Sequence, residues 1–308
     1  MDMYDVVVVG AGAGGLTTAL YTARANLKTL IIEKGIFGGQ MQNTAEIENY
    51  SGFGLITGME LSQNMYDQAI SQGVEYKYGE VVSVEKQGNQ FTVNLKGKEP
   101  VLAKSVVIST GVKHRQLGVD GEEEFAGLGV SYCALCDGAF FKNKHVAVVG
   151  GGDSALDEAN YLTGIVDKVT IIHRGSEFSG QKVLQDRVFN NPKINVLFNT
   201  QVDSIYGGNK VQGLSLLQRD NIGYREIEFD VDGMFIYIGL DPITEPFKDM
   251  GILDNNSYIV TNEKMETSIK GLFAVGDVRQ KDVRQIATAV GDGAIAGVEV
   301  NKYLEELS

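Results

Sequence analysis

The chain has 308 residues, 43% of them hydrophobic, with 40 acidic side chains against 27 Lys and Arg and a formal net charge of −13. That length suits about two domains with ample cores, and the acidity argues against nucleic acid and anionic membrane surfaces as partners. No apolar run approaches the roughly 20 residues of a membrane span, and the start MDMYDVVVVG has acids where a signal peptide carries a basic region, so a cytoplasmic protein is expected.

The first elements form one βαβ unit. YDVVVVG reads as a buried parallel strand, AGAGGLTTALYTARAN as a turn into a helix, and TLIIEKG as the next strand. Within that context Gly10, Gly12 and Gly15 make G-x-G-x-x-G. Gly10 permits the tight turn, Gly12 lets the backbone approach a pyrophosphate, and Gly15 lets helix pack on strand, while the helix N-terminus stabilises phosphate charge. Glu33, 23 residues after Gly10, is placed to accept hydrogen bonds from a ribose diol. The bland alternative is a glycine-rich turn with no ligand.

Further along, STG at residues 109–111 reads as a strand ending in a turn, a crossing out of the first domain. SYCALCDGAFF follows, with the chain's 2 cysteines, Cys133 and Cys136. A zinc site needs four ligands, and the 3 histidines (His114, His145, His173) are scattered. A structural disulfide is disfavoured in a reducing compartment. An inert buried pair is the remaining bland reading. A redox dithiol fits the spacing: one thiol attacks an external disulfide and the other resolves the mixed disulfide. Asp137 adjoins the pair as an acid/base group, or merely caps a turn.

KHVAVVGGGDSALDEANYLTGIVDKVTIIH repeats the first unit. Its glycines are Gly150 and Gly152 with Ala155 in the third place, and His173 follows Gly150 by the same 23 residues, in the position of Glu33. Such folds carry here an acid for a ribose hydroxyl or arginines for a 2′-phosphate; VTIIHRGSEFSG supplies Arg174 alone. FIYIGLDP at 235–242 reads as the crossing back. GLFAVGDV at 271–278 then ends a strand in Gly-Asp and leads into a helix of small residues, placing Asp277 against phosphate or ribityl hydroxyls, or as a helix cap. If this segment belongs to the first fold, that fold is discontinuous. The expected spans are 1–112 with 243–308 for the first domain, and 113–242 for an inserted second one. The fold class is α/β, with two Rossmann-like, three-layer dinucleotide-binding domains. A dithiol handles two electrons, as does a flavin, so the first fold is expected to hold FAD.

The motifs GAGAGGLTTALYTARANL, GGQMQNTAEIENYSGF, CALCDGAFF, GGGDSALDEANYL, FIYIGLDP and GLFAVGDVRQKDVRQIATAVGDG, in this order, resemble the low-molecular-weight thioredoxin reductases over nearly the whole chain. The resemblance implies a cytoplasmic homodimer with a discontinuous FAD domain and an inserted pyridine-nucleotide domain. It implies an FAD site including Gly10, Gly12, Gly15, Glu33, Gln40, Asn49, Asp277, Arg284 and Gln285. It makes Cys136 the thiol that meets the flavin, Cys133 the one that attacks thioredoxin, and Asp137 the proton donor. It also implies a hinge at the two crossings, so that the dithiol can face each partner in turn.

One loop departs from the family. Members using NADPH carry His-Arg-Arg-x-x-x-Arg, where this chain has His173, Arg174, Gly175, Ser176, Glu177, Phe178 and Ser179. A hydrogen bond to a charged group contributes about 1.5–3 kcal/mol, so losing two weakens binding by about 10²- to 10⁴-fold. Glu177 adds negative charge, and no acid stands at residue 173 for NADH. NADPH and NADH binding is therefore doubtful from sequence, and the expectation is a ferredoxin-dependent thioredoxin reductase, with thioredoxin and ferredoxin as partners. The alternatives are NADPH with altered contacts, an oxygen-consuming dithiol oxidase, and a non-catalytic flavin redox sensor.

Overall fold

A computed structural model describes residues 3–44, 46–47, 49–220 and 222–307. Met1, Asp2, Ala45, Glu48, Asn221 and Ser308, which the expected domain spans include, lie outside the described residues. The chain divides into two compact units, Met1–Lys113 with Asp241–Ser308, and His114–Leu240.

The first segment runs β1 (Met3–Val9), α1 (Ala13–Arg24), β2 (Thr29–Glu33), α2 (Gly58–Ser71), β3 (Glu75–Tyr78), β4 (Val81–Gln87), β5 (Gln90–Leu95) and β6 (Lys98–Ile108). Val6, Val7, Val8 and Val9 are all buried, as a strand covered on both faces requires. The sheet order is β3-β2-β1-β6-β5-β4, parallel from β3 to β6 and antiparallel beyond. α2 begins at a Thr57 cap, whose hydroxyl accepts the Glu60 N–H at 3.1 Å.

The chain leaves through β7 (Val112–His114). The second unit then runs β8 (Val130–Ser131), α3 (Ala134–Asp137), β9 (His145–Gly150), α4 (Asp153–Leu162), β10 (Lys168–Ile172), α5 (Lys182–Phe189), β11 (Ile194–Leu197), β12 (Thr200–Gly207), β13 (Val211–Arg219), β14 (Tyr224–Asp230) and β15 (Gly233–Tyr237). Its parallel sheet has the order β11-β10-β9-β15-β8, and β12, β13 and β14 form a separate antiparallel sheet. Core side chains fill both faces of the parallel sheet, one against α4 and one against the antiparallel sheet.

The return strand β16 (Leu240–Pro242) pairs with β7, so the two crossings run together. β17 (Leu272–Ala274) then joins the first sheet, parallel to β6, and α6 (Ile286–Leu307) closes the chain. α6 lies directly on α1: a β-carbon at Gly293 would strike the Gly14 carbonyl oxygen, and one at Gly297 would strike Tyr21. No helix among the described residues is long and apolar enough to cross a membrane.

Candidate functional site

Gly10 sits at φ +106°, and a β-carbon there would collide with the Ser109 carbonyl, so the turn after β1 requires glycine. Gly15 is as tightly held, against the Gly10 carbonyl, whereas nothing lies within 4 Å of where a Gly12 β-carbon would point. The middle glycine therefore borders open space. The first turn of α1 carries no acidic residue and Gly12 caps it with extended backbone and no side-chain hydrogen bond, so its N–H groups stay available to an anion. Glu33 is fixed by two backbone donors, Ala11 N–H at 2.8 Å and Gly35 N–H at 2.7 Å.

The remaining FAD-site residues expected from the resemblance all lie in the first unit. Gln40 Nε2 donates to the Val112 carbonyl at 2.8 Å, and Asn49 Nδ2 donates to Gln285 Oε1 at 3.1 Å across 236 residues of sequence. Arg284 donates from Nε to the Asp277 carbonyl at 3.4 Å and lays its guanidinium over the Tyr258 ring, 4.4 Å from the centroid. Asp277 follows β17 in a short 3-10 turn. Its Oδ1 is buried without a hydrogen-bond partner, and burial above all holds its carboxyl above the usual range, against the pull of Lys281 and Arg284.

In the second unit Cys133 and Cys136 are joined as a disulfide, with Cα atoms 5.3 Å apart. Cys133 caps the N-terminus of α3, and its Sγ accepts the Cys136 N–H at 3.2 Å. A donor aimed at this sulfur stabilises its thiolate once the bond is opened. The Ser131 hydroxyl accepts the Cys133 N–H at 3.1 Å and donates to Asp137 Oδ2 at 2.6 Å. Burial raises the Asp137 carboxyl above the usual range, with the Ser131 hydrogen bond pulling the other way, so it keeps a proton to higher pH than an exposed acid. Tyr237, at the end of β15 opposite Gly150, receives the Ala134 N–H on its hydroxyl at 2.6 Å. Sequence reasoning missed Ser131 and Tyr237: each reads as an ordinary strand residue, and no local pattern marks its partner.

The second dinucleotide turn reproduces the first in backbone. Gly150 has φ +154°, its β-carbon would strike the Tyr237 carbonyl, and the nearest atom to a Gly152 β-carbon is Ser179 Oγ at 3.9 Å. The side chains around it differ. Asp153 stands in the first turn of α4, where its carboxylate accepts Gln181 N–H at 2.6 Å and Gln181 Nε2 at 2.9 Å. His173 folds its imidazole over Gly151, with Nε2 2.9 Å from the Glu177 carbonyl, and packs on Phe178 and Phe198 at centroid distances of 5.6 and 6.3 Å. Ser179, although exposed, bonds back to the turn, its N–H 2.9 Å and its hydroxyl 3.2 Å from the Gly151 carbonyl. The sequence expectation left residues 173 and 179 as bare recognition positions; the structure shows both tied to the turn itself.

The chain matches the Pyridine nucleotide-disulphide oxidoreductase family over residues 4–293. It is 51% identical over 306 residues to a thioredoxin reductase of Listeria monocytogenes, covering 99% of this chain and 95% of that protein. It is 49% identical over 306 residues to a thioredoxin reductase of Bacillus subtilis, covering 99% and 96%. This chain belongs to the thioredoxin reductase family. A solved thioredoxin reductase from Streptococcus pyogenes superposes with a TM-score of 0.95 at 47% identity, covering 99% of each chain.

The reductase is thus an oxidoreductase of the flavoprotein disulfide reductase class, and its first unit fits FAD. The open space at Gly12, the acid-free start of α1, the anchored Glu33 and the orphaned acceptor on Asp277 are what a dinucleotide with a polyhydroxyl chain requires. The family description names a pyridine nucleotide, the relatives' names give no electron donor, and nothing in the comparisons supports the ferredoxin-dependent subtype that the loop led us to expect.

Proposed function

We propose that the protein reduces the disulfide of a thioredoxin through Cys133 and Cys136. The observation carrying this reading is the Cys133–Cys136 disulfide at the cap of α3, with a backbone donor on Cys133 and, beside it, an acid that burial holds above the usual carboxylate range. FAD held by Gly10, Gly12, Gly15, Glu33, Gln40, Asn49, Asp277, Arg284 and Gln285 would supply the electron pair that opens this disulfide. Cys136 is the sulfur on the flavin side. Asp137 holds and returns the proton exchanged as the pair opens and closes. The Cys133 thiolate, stabilised by the Cys136 N–H, attacks one sulfur of the thioredoxin disulfide and releases the other as a thiol. Cys136 then attacks Cys133, releasing reduced thioredoxin and restoring the internal disulfide. Cys133→Ser should abolish thioredoxin turnover while the protein stays yellow with bound FAD. Undiminished turnover would refute the scheme, and so would a protein that cannot be reconstituted with FAD. A cytoplasmic homodimer belongs to the same reading, and sedimentation of the purified protein tests the dimer.

For the donor, the family description favours NADPH with altered contacts, and the clear space at Gly152 leaves room for a pyrophosphate. A second reading, reduced ferredoxin, rests on the loop: Gly175 and Ser179 supply no cation, and Asp153 and Glu177 bring negative charge towards any phosphate there. Mixing the oxidised enzyme anaerobically with NADPH, NADH or reduced ferredoxin, while following flavin bleaching and thioredoxin thiols, decides between them. Rapid bleaching by micromolar NADPH removes the ferredoxin reading. Bleaching by ferredoxin alone removes the nicotinamide one. Oxygen uptake driven by dithiols would instead mark a dithiol oxidase.

A further inference from the structure

Asp292, on the buried side of α6, gathers three donors. Its Oδ2 accepts the Gly276 N–H at 3.0 Å and the Lys281 ammonium at 2.9 Å, and its Oδ1 accepts Arg279 at 2.8 Å. All three side chains are nearly sequestered, at 11%, 12% and 11% exposure for Asp292, Lys281 and Arg279. Arg279 is further tied through Nε to Thr261 Oγ1 at 2.7 Å. Next to Asp292, Gly293 brings α6 against the Gly14 carbonyl and Thr17 of α1. One turn of α6 therefore spans both halves of the FAD site: the phosphate-facing helix and the Gly276–Asp277 turn.

Three cations, Arg279, Lys281 and Arg284, surround the carboxylates of Asp277 and Asp292; Arg279 and Lys281 both go to Asp292, and Arg284 donates to the Asp277 backbone carbonyl. Asp277 keeps an oxygen with no partner, although Lys281 is near enough to pull its titration down. We infer that Asp292 is a positioning residue for the flavin: it holds the turn that carries Asp277 and takes up Arg279 and Lys281, so that the Asp277 oxygen stays free for a cofactor hydroxyl. This rests on the flavin reading above. Without the Asp292 charge, Lys281 becomes a buried cation without a counter-ion, a costly arrangement that it relieves by turning to Asp277. The acceptor meant for the cofactor is then occupied.

The test titrates FAD into apoprotein, followed by flavin fluorescence and absorbance, with thermal melting of each apoprotein as the check on folding. Wild type is titrated first; if it does not bind FAD, the flavin reading fails and the inference with it. Given binding by wild type, Asp292→Asn should weaken FAD at least tenfold, Lys281→Met alone should change affinity less than threefold, and adding Lys281→Met to Asp292→Asn should recover at least fivefold. A merely structural role for Asp292 predicts that affinity falls and recovers only in step with the melting temperature of the apoproteins, so the affinity loss and recovery must exceed what the melts account for. Unchanged affinity in Asp292→Asn, or a loss that persists undiminished in the double variant, overturns the inference while leaving the flavin reading intact. If apo Asp292→Asn does not fold, the double variant carries the test alone: affinity within about fivefold of wild type supports the inference, and affinity as weak as that of Asp277→Ala overturns it.

Discussion

The two dinucleotide turns share a backbone and differ in what surrounds it. In each, the residue after the first glycine offers its carbonyl to the following loop: Ala11 O accepts Gly38 N–H at 2.7 Å, and Gly151 O accepts Ser179 N–H at 2.9 Å and Gly180 N–H at 3.0 Å. In each, the middle glycine opens onto space. The first then presents a helix start without acids and a carboxylate fixed by two N–H donors. The second presents Asp153 in the first helical turn and an imidazole folded onto the turn. The scaffold that admits a pyrophosphate is thus separable from the groups that recognise a particular dinucleotide. The first follows from glycine sterics and can persist while the second changes.

The largest effect that sharpens this comparison is steric. Gly15→Ala drives a β-carbon into the Gly10 carbonyl and should cost about 2–4 kcal/mol of stability and empty the protein of FAD, read by urea melts and flavin content. The matching position of the second turn already holds a buried alanine, so Ala155→Gly should cost only about 1 kcal/mol and leave FAD bound.

Next comes recognition. Glu33→Ala removes the carboxylate that the Ala11 and Gly35 N–H groups hold in place to accept the ribose diol; at about 1.5–3 kcal/mol for each hydrogen bond to a charged group, losing two from the ribose should lower FAD affinity about 10²-fold or more. His173→Ala, in the corresponding place, should leave FAD titrations unchanged. A comparable loss of FAD in His173→Ala would break the separation of the two turns.

A gain of recognition is expected to be smaller. Ser179→Arg should tighten NADPH about tenfold, the worth of roughly 1.4 kcal/mol, measured as the NADPH concentration that half-bleaches the flavin. Gly175→Arg should give less, because a β-carbon at 175 would lie 2.8 Å from His173 Nε2 and the ring must first move aside. Adding His173→Ala to Gly175→Arg should recover the difference.

The smallest effect concerns pH. Burial pushes Glu158 on α4 from 4.5 up to about 7, with Asp157 adding to the shift, and one of its oxygens has no partner. The folded state therefore holds this proton more tightly than the unfolded chain. The stability that this provides is complete below pH 4.5 and is lost as pH rises through about 7. Glu158→Gln should remove that slope and leave the protein about 1 kcal/mol more stable than wild type above pH 7, a figure discounted for partial solvent screening and read from urea melts at several pH values. Equal slopes would show that the carboxyl ionises without cost.

Sequence by itself determined the features that depend on neighbours along the chain. The buried valines of β1, the glycine turns, the repeat that sets His173 against Glu33, the paired cysteines and the Gly276–Asp277 turn were all legible, because strand patterning, left-handed backbone and tight turns are short-range properties. Only the tertiary structure decided which distant groups meet. Tyr237 reaches Ala134 across 103 residues, Gln285 meets Asn49 across 236, and Asp292, which the sequence reading did not single out, binds Gly276, Arg279 and Lys281. The same holds for His173, whose position was clear from spacing while the turn of its ring onto Gly151 was not. A side chain's hydrogen-bond partner is chosen by what packing brings within about 3 Å, and no pattern of neighbouring residues encodes that distance.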